Sequence, residues 1–173
     1  RWVPSIGKPP FQTAVIKTSG EDLIIINTNK GWPHEPTVWM TNTEFYYNTY
    51  SAEHSLNIYR YNMQTNRSQQ ITYNPPMYKS GYLHWSPVHH LFVMCERNLN
   101  DKIINPQVYT MKADGKNKKK LITSGDIDYN PVWSPNGNYV AFIRQKKNAL
   151  PAIQEVVVTE FYQGRSHRYN LSS

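Results

Sequence analysis

The stretch Asn130-Pro131-Val132-Trp133-Ser134-Pro135-Asn136-Gly137-Asn138-Tyr139-Val140-Ala141-Phe142-Ile143 decides the fold. Two short runs of strand-forming residues flank a turn in which Pro135 presets φ and Asn136-Gly137 supplies positions that tolerate positive φ. The segment therefore reads as a tight hairpin. The same order recurs upstream, in His84-Trp85-Ser86-Pro87 followed by Leu91-Phe92-Val93-Met94. A fainter copy runs Pro36-Thr37-Val38-Trp39-Met40, then Glu44-Phe45-Tyr46-Tyr47. Trp39, Trp85 and Trp133 stand 46 and 48 residues apart. Flanking strands repeat too: Asn57-Ile58-Tyr59-Arg60-Tyr61 and Gln70-Ile71-Thr72 are echoed by Gln107-Val108-Tyr109-Thr110-Met111 and Leu121-Ile122-Thr123.

A fixed period of this length separates propellers from other all-β folds. Each unit supplies an inner Trp strand, a second strand of the Tyr-Val-Ala-Phe type, a third strand and an outer Leu/Ile-Thr strand, and four antiparallel strands make a blade. The expected fold is all-β, a β-propeller of four-stranded antiparallel blades forming one domain over 1–173. Blades are expected at about 36–72, 83–123 and 131–171, with a partial N-terminal blade at 11–28, about three and a half in all. Rings close with about four to eight blades. The chain thus either closes as a four-bladed ring with a reduced first blade or is part of a larger propeller. The second is preferred, because open blade edges expose unpaired backbone groups that another segment or subunit must cover.

Composition agrees. The 173 residues include 13 Tyr and 12 Pro, are 39% hydrophobic and only 18% charged, and show no sustained helical spacing of apolar positions. A single cysteine, Cys95, excludes an internal disulfide and every paired-cysteine zinc or redox motif. The most apolar run, Leu23 to Ile26, has a strand's length and no stretch of 18 apolar residues occurs, so no transmembrane segment is expected, although peripheral membrane association is compatible with a net charge of +7. The Arg1-Trp2-Val3-Pro4 start lacks an initiator Met and a signal-type apolar region, which reads as a processed or trimmed chain.

The segments 108–117, 120–123 and 130–143 resemble the repeat of TolB-like β-propellers, sharply over about 105–145, well over 57–98 and faintly over 36–50 and 153–171. That resemblance implies a non-enzymatic protein–protein binding or scaffold module of a bacterial cell-envelope assembly, located in the periplasm or envelope. Its expected partners are envelope proteins or the remainder of a larger propeller, with no cofactor. The alternative it leaves open is a propeller that supports or gates an enzyme active site, or that binds a glycan in its channel.

Candidate chemistry is sparse. No Gly-x-Ser-x-Gly elbow, phosphate-cradling glycine loop or His-Glu-x-x-His spacing occurs, and Cys95 falls inside a strand, where an inert thiol is expected. Among six His, His84 alone falls where a central channel would be lined, while His89 and His90 read as substitutions in a hairpin turn. Asp126-Ile127-Asp128-Tyr129-Asn130 has the first oxygen spacings of a calcium loop, but Pro131 and Gly137 stand where such a loop needs Gly and Glu. A capped turn is the reading, with a weak Ca²⁺ site at the channel mouth as the alternative. Lys118, Lys119 and Lys120 read as solvated loop tips that could attract an acidic partner, and without interleaved aromatics nucleic acid is not expected. Pro76, Met77 and Tyr78, in a loop before an inner strand, are the exposed binding candidates with His84. Trp39, Trp85 and Trp133 are expected in the core between blades, and Pro135 and Gly137 in the repeat's turn.

Overall fold

A computed structural model of the chain describes residues 13–26, 38–51, 53–102, 105–149, 152–162 and 166–170. The expected blade positions Pro36, Thr37 and Leu171, one of the six histidines, His34, and the ends of the 11–28 segment lie outside them. No helix occurs among the described residues.

The strands follow in order as β1 (Thr13–Val15), β2 (Ile24–Ile26), β3 (Val38–Trp39), β4 (Glu44–Tyr50), β5 (Leu56–Asn62), β6 (Arg67–Gln70), β7 (Tyr78–Ser86), β8 (Leu91–Asn98), β9 (Gln107–Lys112), β10 (Lys119–Lys120), β11 (Ile127–Trp133), β12 (Tyr139–Gln145), β13 (Gln154–Glu160) and β14 (Ser166–Asn170). Sequential antiparallel pairing gives the meanders β3-β4-β5-β6, β7-β8-β9-β10 and β11-β12-β13-β14, with β1-β2 as a separate hairpin. The backbone pairing between the first two meanders is a single parallel bridge, Leu56 to Lys79. The repeat is thus a blade, and the fold is a partial β-propeller.

Strand alternation decides how the blades stack. In the second blade Phe92, Met94 and Met111 face the first, burying Tyr46, Ile58 and Ile71. The opposite parity, Val93, Cys95 and Val108, faces the third blade and packs on Trp133, Val140, Phe142 and Val157. A Tyr-rich layer of Phe45, Tyr47, Tyr59 and Tyr61 covers the other face of the first blade and meets Val15 of the N-terminal hairpin. The core is therefore a set of interleaves between sheets, the only way two-faced antiparallel strands can bury both faces.

The inner strands run longer than their Trp-centred cores suggest. Both β7 and β11 carry a bulge at the same repeat position, between Gly81 and His84 and between Tyr129 and Val132. The left-handed residues there are Tyr82 at φ 54° and Asn130 at φ 52°. A bulge re-aims the strand, so the segment preceding each Trp continues the ladder toward the neighbouring strands' ends, where the sequence suggests only a loop.

The three tryptophans do not share one environment. Trp133 is 5% exposed and Trp85 half-buried, but Trp39 is 47% exposed and contacts Phe45 edge-on at 5.2 Å. The expectation of a common core position fails for Trp39, whose strand β3 ends the order of its sheet among the described residues.

Candidate functional site

The repeat brings its polar residues to one end of the inner strands. Asp128 and Arg144 are 0% and 4% exposed and form a two-pronged pair, with Arg144 Nε donating to Oδ1 at 2.7 Å and a terminal nitrogen donating to Oδ2 at 2.9 Å. Ser124 Oγ donates to Oδ2 as well, at 2.7 Å. The carboxylate holds the Arg144 guanidinium above its ordinary pKa. Two positions earlier, Asp126 accepts from the Lys147 backbone N–H at 3.1 Å and from Lys146 Nζ at 3.3 Å, and these bonds, the backbone one foremost, lower its pKa. Glu155 Oε2 lies 3.5 Å from Lys146 Nζ, an ion pair without a hydrogen bond. The alternative of a Ca²⁺ site on Asp126 and Asp128 is corrected accordingly: Arg144 and Lys146 already supply the positive charge, and the Asp128 oxygens are consumed by bonds to protein.

The second blade solves the same position differently. Ser80 and Glu96 stand 48 residues before Asp128 and Arg144. Asn74 Nδ2 donates to Ser80 Oγ, which donates to Glu96 Oε1 at 2.8 Å. Lys118 Nζ contacts both Glu96 oxygens at 2.7 Å and lies 5.7 Å from the Tyr109 ring. Lys118 is therefore not a solvated loop tip, although Lys119 and Lys120, which form β10, are exposed.

His84 is half-buried and its Nδ1 accepts a hydrogen bond from the Trp133 backbone N–H at 3.1 Å. Burial lowers its pKa, which keeps the ring neutral and able to accept. It ties β7 to β11. His89 ties the turns: Nε2–H donates to the Gly137 carbonyl at 2.9 Å, Nδ1 accepts from the Tyr162 hydroxyl at 3.0 Å, and the ring packs 5.3 Å from Trp133. His90 takes the positive φ of that turn, at 52°.

The loop 73–78 is the most exposed aromatic feature of the described residues. Tyr73 is 79% exposed. Tyr78 N–H donates to Pro75 O at 3.1 Å, closing a turn with Pro76 second and Met77 third at φ 65°. That is the pattern of a type II turn with Met where Gly is favoured. Pro76 is exposed, while Met77 and Tyr78 are half-buried. Sequence reading missed Tyr73, because the Tyr follows an outer strand that was expected to reach Thr72 but ends at Gln70.

Beneath β7, β8 and β11 lies a cavity of about 270 Å³ lined by residues including Lys79, Cys95, Arg97, Ile127 and Tyr129. No cluster of three or more His, Cys, Asp or Glu side chains able to hold a metal occurs among the described residues, and no described helix is long and apolar enough to cross a membrane.

No family model and no curated protein sequence matches the chain. Solved structures do. The putative TolB from Agrobacterium tumefaciens superposes with a TM-score of 0.68 at 14% identity, covering 90% of this chain and 55% of its own. An oligogalacturonate lyase in complex with manganese gives 0.69 at 11%, covering 90% and 46%. A puromycin-hydrolyzing peptidase of Mycobacterium tuberculosis gives 0.64 at 12%, covering 87% and 27%. The chain thus spans about half or less of each of these proteins. Two of the three are enzymes, so the expectation that the chain is not an enzyme is withdrawn: missing motifs on a scaffold that also carries a lyase and a peptidase do not exclude catalysis. What these superpositions establish is the fold, and the chain has that of the TolB-like β-propellers.

Proposed function

We propose that the chain is a segment of a larger TolB-like propeller that works as a protein-docking module of a bacterial envelope assembly, in the periplasm. The observation that carries the reading is the outward face of the third blade. Strands β12 and β13 alternate strictly between buried residues and half-buried ones, and the half-buried parity is apolar: Ala141, Ile143, Val156 and Val158. Val132 and Tyr139 extend that face and are exposed. In the first two blades the same parity is sealed by the following blade. The occupant that fits is the next blade of the same ring, since it would repeat an interface the fold already makes twice, and the superposed proteins have room for it beyond this chain's span. A ring completed in this way would present the 73–78 loop, with exposed Tyr73 and Pro76 and a left-handed Met77, as its docking edge. Aromatic residues held on a strained, well-defined turn are a common anchor for protein partners.

Two measurements test this. Ile143→Asp in the full-length protein should destabilise it by about 2 kcal/mol or more if a blade covers the face, and by under about 0.5 kcal/mol if water does. Tyr73→Ser with Pro76→Ser should abolish cross-links between this loop and a co-purifying envelope protein while leaving the unfolding temperature unchanged. Retention of those cross-links would refute docking through the loop.

A further inference from the structure

Lys79 and Arg97 are directly opposite each other in the β7–β8 ladder, on one face of the second blade. Like charges across a strand pair repel, and both residues are half-buried, where the repulsion is less screened. Among the described residues neither forms an ion pair. Lys79 Nζ donates to the Tyr50 hydroxyl and lies 4.6 Å from the centre of that ring, contacts that bring it no carboxylate. Three other cations at this end of the blades each have a carboxylate: Lys118 has Glu96, Arg144 has Asp128 and Lys146 has Asp126. The exception coincides with a cavity, since Lys79 and Arg97 line the 270 Å³ space between the second and third blades. Its remaining wall contains no acidic side chain and is largely apolar, with Leu56, Pro106 and Ile127 beside the rings of Tyr82 and Tyr129. The space equals roughly nine waters of liquid volume, enough for one ring with a short acid arm.

We infer that this cavity is a binding site for a compact carboxylate whose ring packs on Leu56, Ile127 and Tyr129 and whose anionic group sits between Lys79 and Arg97. The ligand supplies to Lys79 and Arg97 the counter-charge that Glu96 and Asp128 supply to Lys118 and Arg144. The site is independent of docking through the 73–78 loop, so the two can fail separately.

The test is calorimetric titration of the full-length protein with phenylacetate and, as the uncharged isostere, phenylacetamide. Phenylacetate should bind, the amide should not, and Lys79→Gln or Arg97→Gln should each weaken binding by about tenfold or more, the loss of a charge-assisted contact. Affinity should fall as salt is raised. Equal binding of the amide, binding indifferent to both substitutions, or no heat from millimolar phenylacetate would overturn the inference. Stability of the ligand-free protein gives a second readout. Because Arg97→Gln relieves repulsion and removes no ion pair among the described residues, it should not lower the unfolding temperature; a fall would make the guanidinium a structural contact and refute the site.

Discussion

Arg144→Met leaves the Asp128 carboxylate at the bottom of the third blade with no cation. Both partners are essentially inaccessible, at 4% and 0% exposure, and both carboxylate oxygens are engaged by the guanidinium at 2.7 and 2.9 Å. After the substitution only the Ser124 hydroxyl, at 2.7 Å, remains from this set. Removing one member of a buried pair costs about 3–5 kcal/mol, because an uncompensated charge is left behind, whereas replacing both members by apolar groups of similar size is often neutral. The expected loss for Arg144→Met is thus about 3–5 kcal/mol, or about 6–20 °C in the unfolding midpoint for a domain of this size. Asp128→Leu with Arg144→Met should recover most of it. Lys118→Met provides the contrast. Its partner Glu96 is buried, but the Lys118 side chain is 38% exposed, and Ser80 still donates to the carboxylate. A partly solvated cation contributes less, and a loss of about 1–2 kcal/mol is expected. Equilibrium urea unfolding with an unchanged m-value reads these variants together with Asp128→Leu alone. If Arg144→Met cost under about 1 kcal/mol, or if the double variant lost as much as the two single changes added, the pair would not be the buried, coupled unit described here.

Other substitutions probe the remaining devices of the repeat. Asp126 has a lowered pKa in the folded state, so its contribution to stability is present above the unfolded carboxyl pKa and is lost as pH falls through the folded value. The stability gap between the wild type and Asp126→Asn should therefore close below about pH 4, as followed by urea midpoints across pH. Gly137 has φ 74°, and a Cβ there would lie 2.8 Å from His89 Nε2. Gly137→Ala should cost about 2 kcal/mol, part of it returned by His89→Ala, in a thermal-unfolding cycle. Asn130→Ala should cost about 1 kcal/mol and Asn130→Gly much less, since the bulge needs a left-handed residue.

Legibility from sequence tracked the range of the interactions involved. The Trp133 hairpin was readable because its turn chemistry is local, with Ser134 Oγ accepting from the Tyr139 N–H and Gly137 taking the positive φ within the same few residues. Blade count and strand order followed from the period. The polar residues were misread where their partners lie far along the chain. Lys118 looks like part of a solvated basic run until Glu96, 22 residues earlier, is seen beneath it. Asp128 resembles a cation ligand until Arg144, 16 residues later, closes on it. His84 looks like a channel-lining group, and only the stacking of the third blade on the second reveals the Trp133 N–H that it accepts. The aligned repeats held one clue: Ser80 and Glu96 occupy the places of Asp128 and Arg144. A position that is charged in both copies but opposite in sign indicates a buried electrostatic site rather than a surface one.

That alternation also explains why the repeat can drift without losing its fold. The apolar parity between blades is constrained by volume, since Val93, Cys95 and Val108 must fit Val140, Phe142 and Val157. At the end of each inner strand only neutrality is constrained: a carboxylate and a guanidinium in one blade, or a carboxylate and a lysine from the outer-strand turn in the next, satisfy the same requirement. The Lys79–Arg97 pair violates it with two cations and no anion on the face that opens into the cavity. Beside the paired cations Lys118, Arg144 and Lys146, the repulsion within this pair is what an anion arriving from outside the chain would relieve.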